Sequence, residues 1–179
     1  MDIEYMSVRS DNELQQIPQL QEKNLSSSIS STERKKEGFV TVHHDFDILK
    51  KMNDQQPHII AKHHDIVVGY TLCMTTAFGT AIEILKSMFI EIEKSFLRDE
   101  KYIVMGQVCI DKEYRNQGIF RQLYQKMKTE LGRQYNFLVT EVAADNTRSL
   151  NAHQAIGFKT LDIHESNGIS WHLMYWSLT

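Results

Sequence analysis

Residues 107–120 read QVCIDKEYRNQGIF, and this stretch decides the fold. A strand-like run through Ile110 ends in a polar turn that carries Arg-Asn-Gln-Gly, and an amphipathic helix starts at once. The first backbone N–H groups of a helix have no intrahelical partners, and the helix dipole adds partial positive charge there. Gly118 has no Cβ to crowd an anion that approaches the backbone. The stretch therefore predicts a strand, a turn and a helix start that suit a pyrophosphate.

The rest of the chain predicts a mixed α/β protein. Helical spacing of apolar residues predicts helices over 10–23, 46–52, 81–97, 117–131 and 147–156. Strands are predicted over 5–9, 58–62, 66–74, 102–110, 137–143, 158–164 and 170–177, with a hairpin turn at 63–65. The Ser-rich residues 24–32 predict a loop or a cap into a further helical stretch. We expect an α/β fold of the α+β type: a mostly antiparallel sheet of six to seven strands with helices on both faces.

Composition limits the class of protein. With 179 residues the chain is long enough for one domain, taken as 1–179. A net charge of −3 argues against a nucleic-acid partner. We see no signal peptide and no apolar run of membrane-spanning length, so we expect a cytoplasmic protein. Cys73 and Cys109 lie in apolar strand-like runs, as buried thiols or as a disulfide.

A second unit follows the first. Asp145-Asn146 predicts the N-terminal cap of a short helix, and Gly157-Phe158 predicts its end. Two neighbouring strands, 102–110 and 137–143, thus each lead into a helix. Where such strands splay apart, their exposed backbone groups can pair with an amide-bearing chain such as pantetheine.

These two units resemble the GNAT acetyltransferases. Arg115-x-x-Gly118-x-Phe120 is similar to the acetyl-CoA signature of that family, R/Q-x-x-G-x-G/A. The run Asn146-x-x-Ser149-x-x-Ala152-His153-x-x-Ile156-Gly157-Phe158 resembles the family's second motif, Asn-x-x-Ala…Leu-Tyr-x-x-x-Gly-Phe. The resemblance implies a GNAT fold with acetyl-CoA between the strands at 102–110 and 137–143. The implied cofactor-binding residues are Val108, Cys109, Ile110, Arg115, Asn116, Gln117, Gly118, Ile119, Phe120 and Asn146.

Catalytic roles follow from the same resemblance. Glu141 would take a proton from the acceptor amine, since its spacing of twelve from His153 matches a Glu…Tyr pair in the ribosomal-protein alanine acetyltransferases; the alternative is a carboxylate paired with a neighbouring Arg or Lys. His153 replaces the family's tyrosine, either as the acid for the leaving thiolate or as a spacer beside the sulfur. Gln107 stands where other members place a catalytic Glu, and an amide can only position a water. Backbone N–H groups near Cys109 and Ile110 would hold the developing oxyanion.

Phe120 departs from the signature, which has a small residue there. Either the phosphate turn is displaced or the ring turns into the core. Helix 81–97 would shape the amine pocket, form a face of a possible homodimer, or simply pack in the core. His43-His44 and His63-His64 do not form a metal-ligand pattern, because adjacent strand residues point to opposite faces.

The function expected from the sequence is transfer of acetyl from acetyl-CoA to a primary amine of a small molecule or a peptide, without a covalent intermediate. A catalytically weak CoA-binding regulatory module is the alternative within the same fold. A nucleic-acid or protein-binding domain is a third hypothesis, which the absence of a basic stripe disfavours. We expect no metal and no membrane partner.

Overall fold

The computed structural model describes residues 2–25, 39–79 and 85–179. Its strands are β1 (Glu4–Ser7), β2 (Ile59–His63), β3 (Ile66–Met74), β4 (Tyr102–Ile110), β5 (Phe137–Ala143), β6 (Lys159–Ser166) and β7 (Ile169–Ser177). Its α-helices are α1 (Asp11–Asn24), α2 (Phe46–Gln55), α3 (Lys86–Glu93), α4 (Ile119–Leu131) and α5 (Thr147–Ala155). Predicted elements thus occur in the predicted order. Of the segment 24–32, predicted as a loop or a cap, Asn24 is the last residue of α1, and residues 26–32 lie outside the described residues.

The strands form one seven-stranded sheet in the order β1-β2-β3-β4-β5-β7-β6. Every neighbouring pair is antiparallel except β4 and β5, which run parallel and are joined by α4. The sheet confirms the expected α/β class.

Helices cover both faces of the sheet, as expected. On one face, α1, α2 and α3 bury apolar side chains against it, among them Ile17, Leu49 and Met88. On the other face, apolar side chains of α4 pack against the sheet together with those of α5 and of the residues just after it. Leu123 and Phe158 are members of this second core. Burial at about 25 cal/mol per Å² of apolar surface makes the two cores the main source of stability. No helix in the described part of the chain is long and apolar enough to cross a bilayer.

The predicted helix over 81–97 is wrong at its C-terminal end. The α-helix stops at Glu93, and a separate 3₁₀ turn follows at Phe96–Asp99. The hydroxyl of Ser95 causes the break: it donates to the carbonyl of Ile92 and accepts from the N–H of Leu97. Such local bonds compete with helix continuation. The Phe96 ring consequently lies half exposed rather than on the buried stripe, and residues 81–84 lie outside the described part of the chain.

Candidate active site

The parallel strands at the centre of the sheet separate along their length. Pairing between β4 and β5 covers only three positions, from Tyr102 opposite Phe137 to Val104 opposite Val139. Beyond Val104 the strands diverge, and the hydroxyl of Thr140 donates to the carbonyl of Met105 at 3.0 Å. A register shift between β3 and β4 adds a bulge to β4 at the same point. The sheet is therefore open between residues 105–110 and 140–143.

The turn after β4 presents free backbone donors. Asn116 and Gly118 both have left-handed backbone, with φ of 62° and 80°. Among the described residues, no backbone or side-chain acceptor takes the N–H groups of residues 116–121. A Cβ on Gly118 would meet nothing within 4 Å, so the glycine faces open space. This is the arrangement that an anion needs at a helix start.

Arginine side chains hold this turn in place. The Arg115 guanidinium donates to the carbonyl of Ile110 at 3.1 Å and to the side-chain oxygen of Asn24 at the end of α1. Arg148, from α5, donates to the side-chain oxygen of Asn116 at 3.1 Å. The turn is thus tied both to the first helix and to the helix after β5. Two cations beside free N–H groups favour an anionic ligand.

A cavity of about 240 Å³, here called the larger cavity, opens beside this turn. It is lined by every predicted cofactor residue except Gln117: Val108, Cys109, Ile110, Arg115, Asn116, Gly118, Ile119, Phe120 and Asn146. The Gln117 side chain is exposed and donates to the carbonyl of Glu113 instead.

Phe120 turns its ring away from the turn. Its centroid lies 4.9 Å from that of Tyr124 and 5.1 Å from that of His153. The ring therefore packs between α4 and α5. This arrangement corresponds to the second expectation, in which the ring turns into the core. The free N–H groups of the turn stay accessible beside it.

Residues 39–45, here called the strap, cross the gap between the strands. Asn146 donates to the carbonyl of Phe39 at 3.2 Å, and Gln107 donates to the carbonyl of Val42 at 2.7 Å. The oxygen of the Gln107 amide accepts from Tyr70 at 2.5 Å. Gln107 therefore links the strap to β3 through one bond at each end of its amide, and its second N–H remains available for the expected role of positioning a water.

A second cavity of about 100 Å³, here called the smaller cavity, adjoins the larger one. The two share five lining residues: Phe39, Val40, Val108, Asn146 and Ser149. Leu85, Met88, Trp171, Glu141 and His153 line only the smaller cavity. Leu85 and Met88 bring the region of α3 to this cavity. One of the roles expected for the helix predicted there was to shape the amine pocket.

Glu141 lies on β5 with only 7% of its side chain exposed. Burial raises the pKa of its carboxyl from 4.5 to about 7. Among the described residues, the charged partner of its Oε1 is Nε2 of His164, at 2.9 Å, and not an arginine or lysine. A carboxyl with a pKa near neutrality can take up and release a proton at physiological pH.

His153 lines the same cavity from the opposite face of the sheet. Its Nδ1 donates to the carbonyl of Ser149 at 2.7 Å, which leaves Nε2 to accept from the Tyr124 hydroxyl at 2.6 Å. Burial lowers the pKa of the imidazole to about 4, so the ring is neutral at physiological pH. The gap between β4 and β5 therefore brings Glu141 and His153 to one cavity from two faces.

The remaining candidate groups are inert or structural. Cys73 and Cys109 do not form a disulfide. Burial raises the pKa of each thiol to about 12, which disfavours a nucleophilic role. His44 contacts Gln21, and His63 contacts Tyr114. In the described ranges, no group of three or more His, Cys, Asp or Glu side chains could hold a metal ion.

Several site residues had no local signal. Asn24 and the strap come from the part of the sequence before β2, far from β4, and His164 comes from the strand after the second motif. Arg148 could have been predicted as a site residue, since it lies two residues after Asn146 in a helix expected to start beside the cofactor.

Known proteins show the same architecture. The crystal structure of the Escherichia coli ribosomal-protein-S18-alanine N-acetyltransferase is similar at a TM-score of 0.67 and 11% identity, over 99% of this chain and 95% of that one. The NatC complex bound to Gag peptide and CoA contains a chain similar at a TM-score of 0.70 and 15% identity, with 100% of each covered. The structure of yncA, a putative acetyltransferase from Salmonella typhimurium solved with acetyl-CoA, is similar at a TM-score of 0.67 and 12% identity, over 100% of this chain and 95% of that one. No curated protein matches the sequence.

The model of the acetyltransferase (GNAT) family matches residues 21–158. That range includes α4, α5, the strap and the two strands that separate. The chain belongs to the GNAT acetyltransferase family.

Proposed function

We propose that this protein transfers an acetyl group from acetyl-CoA to a primary amine by direct attack. The observation that carries the proposal is the opening of the sheet between β4 and β5, which leads into a turn of free N–H groups at Gly118. The unpaired strand edges suit the amides of pantetheine, and the turn suits the pyrophosphate. The larger cavity would then hold the cofactor.

The reaction needs a base in the smaller cavity. Glu141 is our assignment, because it lines that cavity and its carboxyl has a pKa near neutrality. Its carboxylate would take one proton from the ammonium form of the acceptor. The nitrogen then attacks the thioester carbon, and the C–S bond breaks with its electron pair on sulfur. Backbone N–H groups near Cys109 and Ile110 would hold the carbonyl oxygen as it gains charge.

Protonation of the leaving thiolate is the step assigned to His153. Its position on the smaller cavity supports this role, but both of its ring nitrogens are bonded. A neutral ring would have to release the Nδ1 proton from Ser149, or accept a new one at Nε2 in place of the Tyr124 bond. The acid role stays a prediction, with the spacer role as its alternative.

Binding is the first test. Saturating acetyl-CoA should raise the melting temperature by several degrees, since a ligand at 100 times its Kd adds about 2.7 kcal/mol to folding. ATP at the same concentration serves as the control for unspecific nucleotide binding. No shift at millimolar acetyl-CoA would contradict the proposal.

Turnover is the second test. Release of the CoA thiol is measured with free-amine peptides, lysine in Nα-acetylated peptides, polyamines and amino acids. Peptides belong in the panel because the names of two structural neighbours specify a peptide or a protein alanine, although fold similarity does not select an acceptor. Acetyl-CoA binding without turnover on any amine would favour the CoA-binding regulatory module.

A further inference from the structure

The environment of Glu141 contains a second titratable group. Glu141 lies on β5 opposite Leu173, and His164 lies on β6 opposite Trp171. Because β7 separates these two strands, the side chains must reach across it to meet. They do so on the face covered by α3, with Oε1 and Nε2 2.9 Å apart and 7% and 9% of the side chains exposed.

Three buried polar atoms of this pair lack a hydrogen bond in the described part of the chain. Among the described residues, neither ring nitrogen of His164 nor Oε1 of Glu141 has a hydrogen bond of good geometry. A buried polar group without a hydrogen bond destabilises the folded state. The two atoms are at hydrogen-bond distance but out of line, and the terminal torsions of Glu and His turn easily. Catalytic hydrogen bonds often align only when the substrate is bound.

On this face the described part of the chain carries Tyr102 on β4, Lys159 and Asp162 on β6, and Tyr175 on β7, together with the titratable side chains of α3: Lys86, Glu91 and Glu93. None of them contributes to the shifted pKa of Glu141, which burial alone accounts for. The group in direct contact with the carboxylate is the imidazole.

We propose that His164 is a positioning residue for the acceptor reaction: it fixes the Glu141 carboxylate, whose residue lines the smaller cavity, and shares the proton that Glu141 removes. This inference rests on the proposed acetyl transfer. One N–H bond of the acceptor ammonium breaks, and its proton goes to the Glu141–His164 pair. The freed lone pair forms the C–N bond, the C–S bond breaks, and the second nitrogen proton goes to the thiolate. The pair then releases its own proton to solvent, which balances the reaction.

Replacement of the imidazole tests the role. In His164→Gln an N–H donor remains, but an amide cannot carry the extra proton. We expect kcat to fall at least tenfold and the acid limb of kcat/KM to change position, because the proton is no longer shared between two groups. The KM for acetyl-CoA should stay within twofold.

His172→Gln is the matched control. His172 neighbours the same strands, and its Nδ1 also has no partner among the described residues, but it lies on the opposite face of β7. This variant should keep the wild-type kcat and pH profile. A purely structural role for His164 would lower the melting temperature and leave the pH profile in place, and that result would overturn the proposal.

A second measurement does not need turnover. The ¹⁵N ring shifts of His164 should differ between the wild type and Glu141→Gln, because the carboxylate sets which nitrogen carries the proton. Identical shifts would overturn the pairing, even if His164→Gln fails to fold. If the wild type shows no turnover with any amine, the proposed function fails, while the ring shifts still decide whether the two side chains form a unit.

Discussion

The two cavities of the cleft are built in different ways. More than half of the residues that line the larger cavity come from the segment 108–120, and its proposed binding groups are backbone N–H groups of one turn. The smaller cavity depends on side chains from β4, β5 and β7, from the region of α3 and from the strap. A backbone site can be encoded locally, whereas a carboxyl of altered pKa needs neighbours from distant parts of the sequence. The two cavities should therefore respond differently to substitution.

The largest effect is expected in the turn. Gly118→Val places a branched side chain at a φ of 80° and directs it into the open space beside the free N–H groups. It should abolish the acetyl-CoA-induced rise in melting temperature and with it all activity. Thermal shift with and without acetyl-CoA measures this.

Gly168→Val is the control for strain. Gly168 has a φ of 73°, and a Cβ there would also meet nothing within 4 Å, but it lies in the β6–β7 turn. It should lose a similar amount of stability and keep the ligand-induced shift. Equal loss of the shift in both variants would show that strain, and not access to the turn, explains the first result.

Substitution in the smaller cavity should separate catalysis from cofactor binding. Glu141→Gln should lower kcat about 100-fold, in the range for loss of a general base, with the acetyl-CoA shift intact. In the wild type the rate should fall as pH drops through about 7, where the carboxyl becomes protonated. A variant that keeps the wild-type rate would rule out Glu141 as the base.

At high pH, Glu141→Gln should be more stable than the wild type. The folded pKa of Glu141 is raised from 4.5 to about 7, so its ionised form destabilises the folded state. Wild-type stability should therefore decline relative to Glu141→Gln as pH rises from about 4.5 to 7, by about 1–3 kcal/mol. Denaturant unfolding at pH 4.5 and pH 8 gives the difference, and equal differences at both would contradict the raised pKa.

A smaller effect on kcat is expected from substitution of His153, which α5 carries on the other face of the sheet. His153→Phe removes a ring that lines the smaller cavity and leaves the Tyr124 hydroxyl without its acceptor. We expect about a tenfold loss of kcat if His153 protonates the thiolate, with a lower melting temperature. Tyr124→Phe removes the same hydrogen bond and keeps the imidazole, so it should retain kcat. Equal kcat in both variants and the wild type would leave His153 as a spacer.

The smallest effect is expected from the strap. Gln107→Leu removes the bonds to Val42 and Tyr70, and should raise the acceptor KM a few-fold with a stability loss of about 1–3 kcal/mol. Gln16→Leu is matched to it, because Gln16 also has a hydrogen bond at each end of its amide: it accepts from the N–H of Val67 and donates to the carbonyl of Asp65. That control should lose stability without a change in KM. An unchanged acceptor KM in Gln107→Leu would mean that the strap does not shape the amine site.

Sequence patterns predicted the elements well where they were long and periodic. The strands 102–110 and 137–143 have the predicted bounds, and α4 begins two residues later than predicted because Gly118 takes the left-handed conformation. The helix at 81–97 was overextended, since apolar spacing does not reveal that Ser95 bonds the backbone on both sides of the break. Apolar periodicity reports a buried face, but a single hydroxyl decides where the helix stops.

The sequence by itself determined the fold class and the turn from Arg115 to Phe120. Backbone donors, a glycine and a helix start are local features, and a short stretch of chain specifies them whatever lies around it. Only the tertiary structure decided the chemistry of Glu141. Its raised pKa and its contact with His164 both depend on a sheet order that places β7 between β5 and β6, and on the gap between β4 and β5. Burial and partnership join residues far apart in sequence, so no spacing within one motif could have contained them.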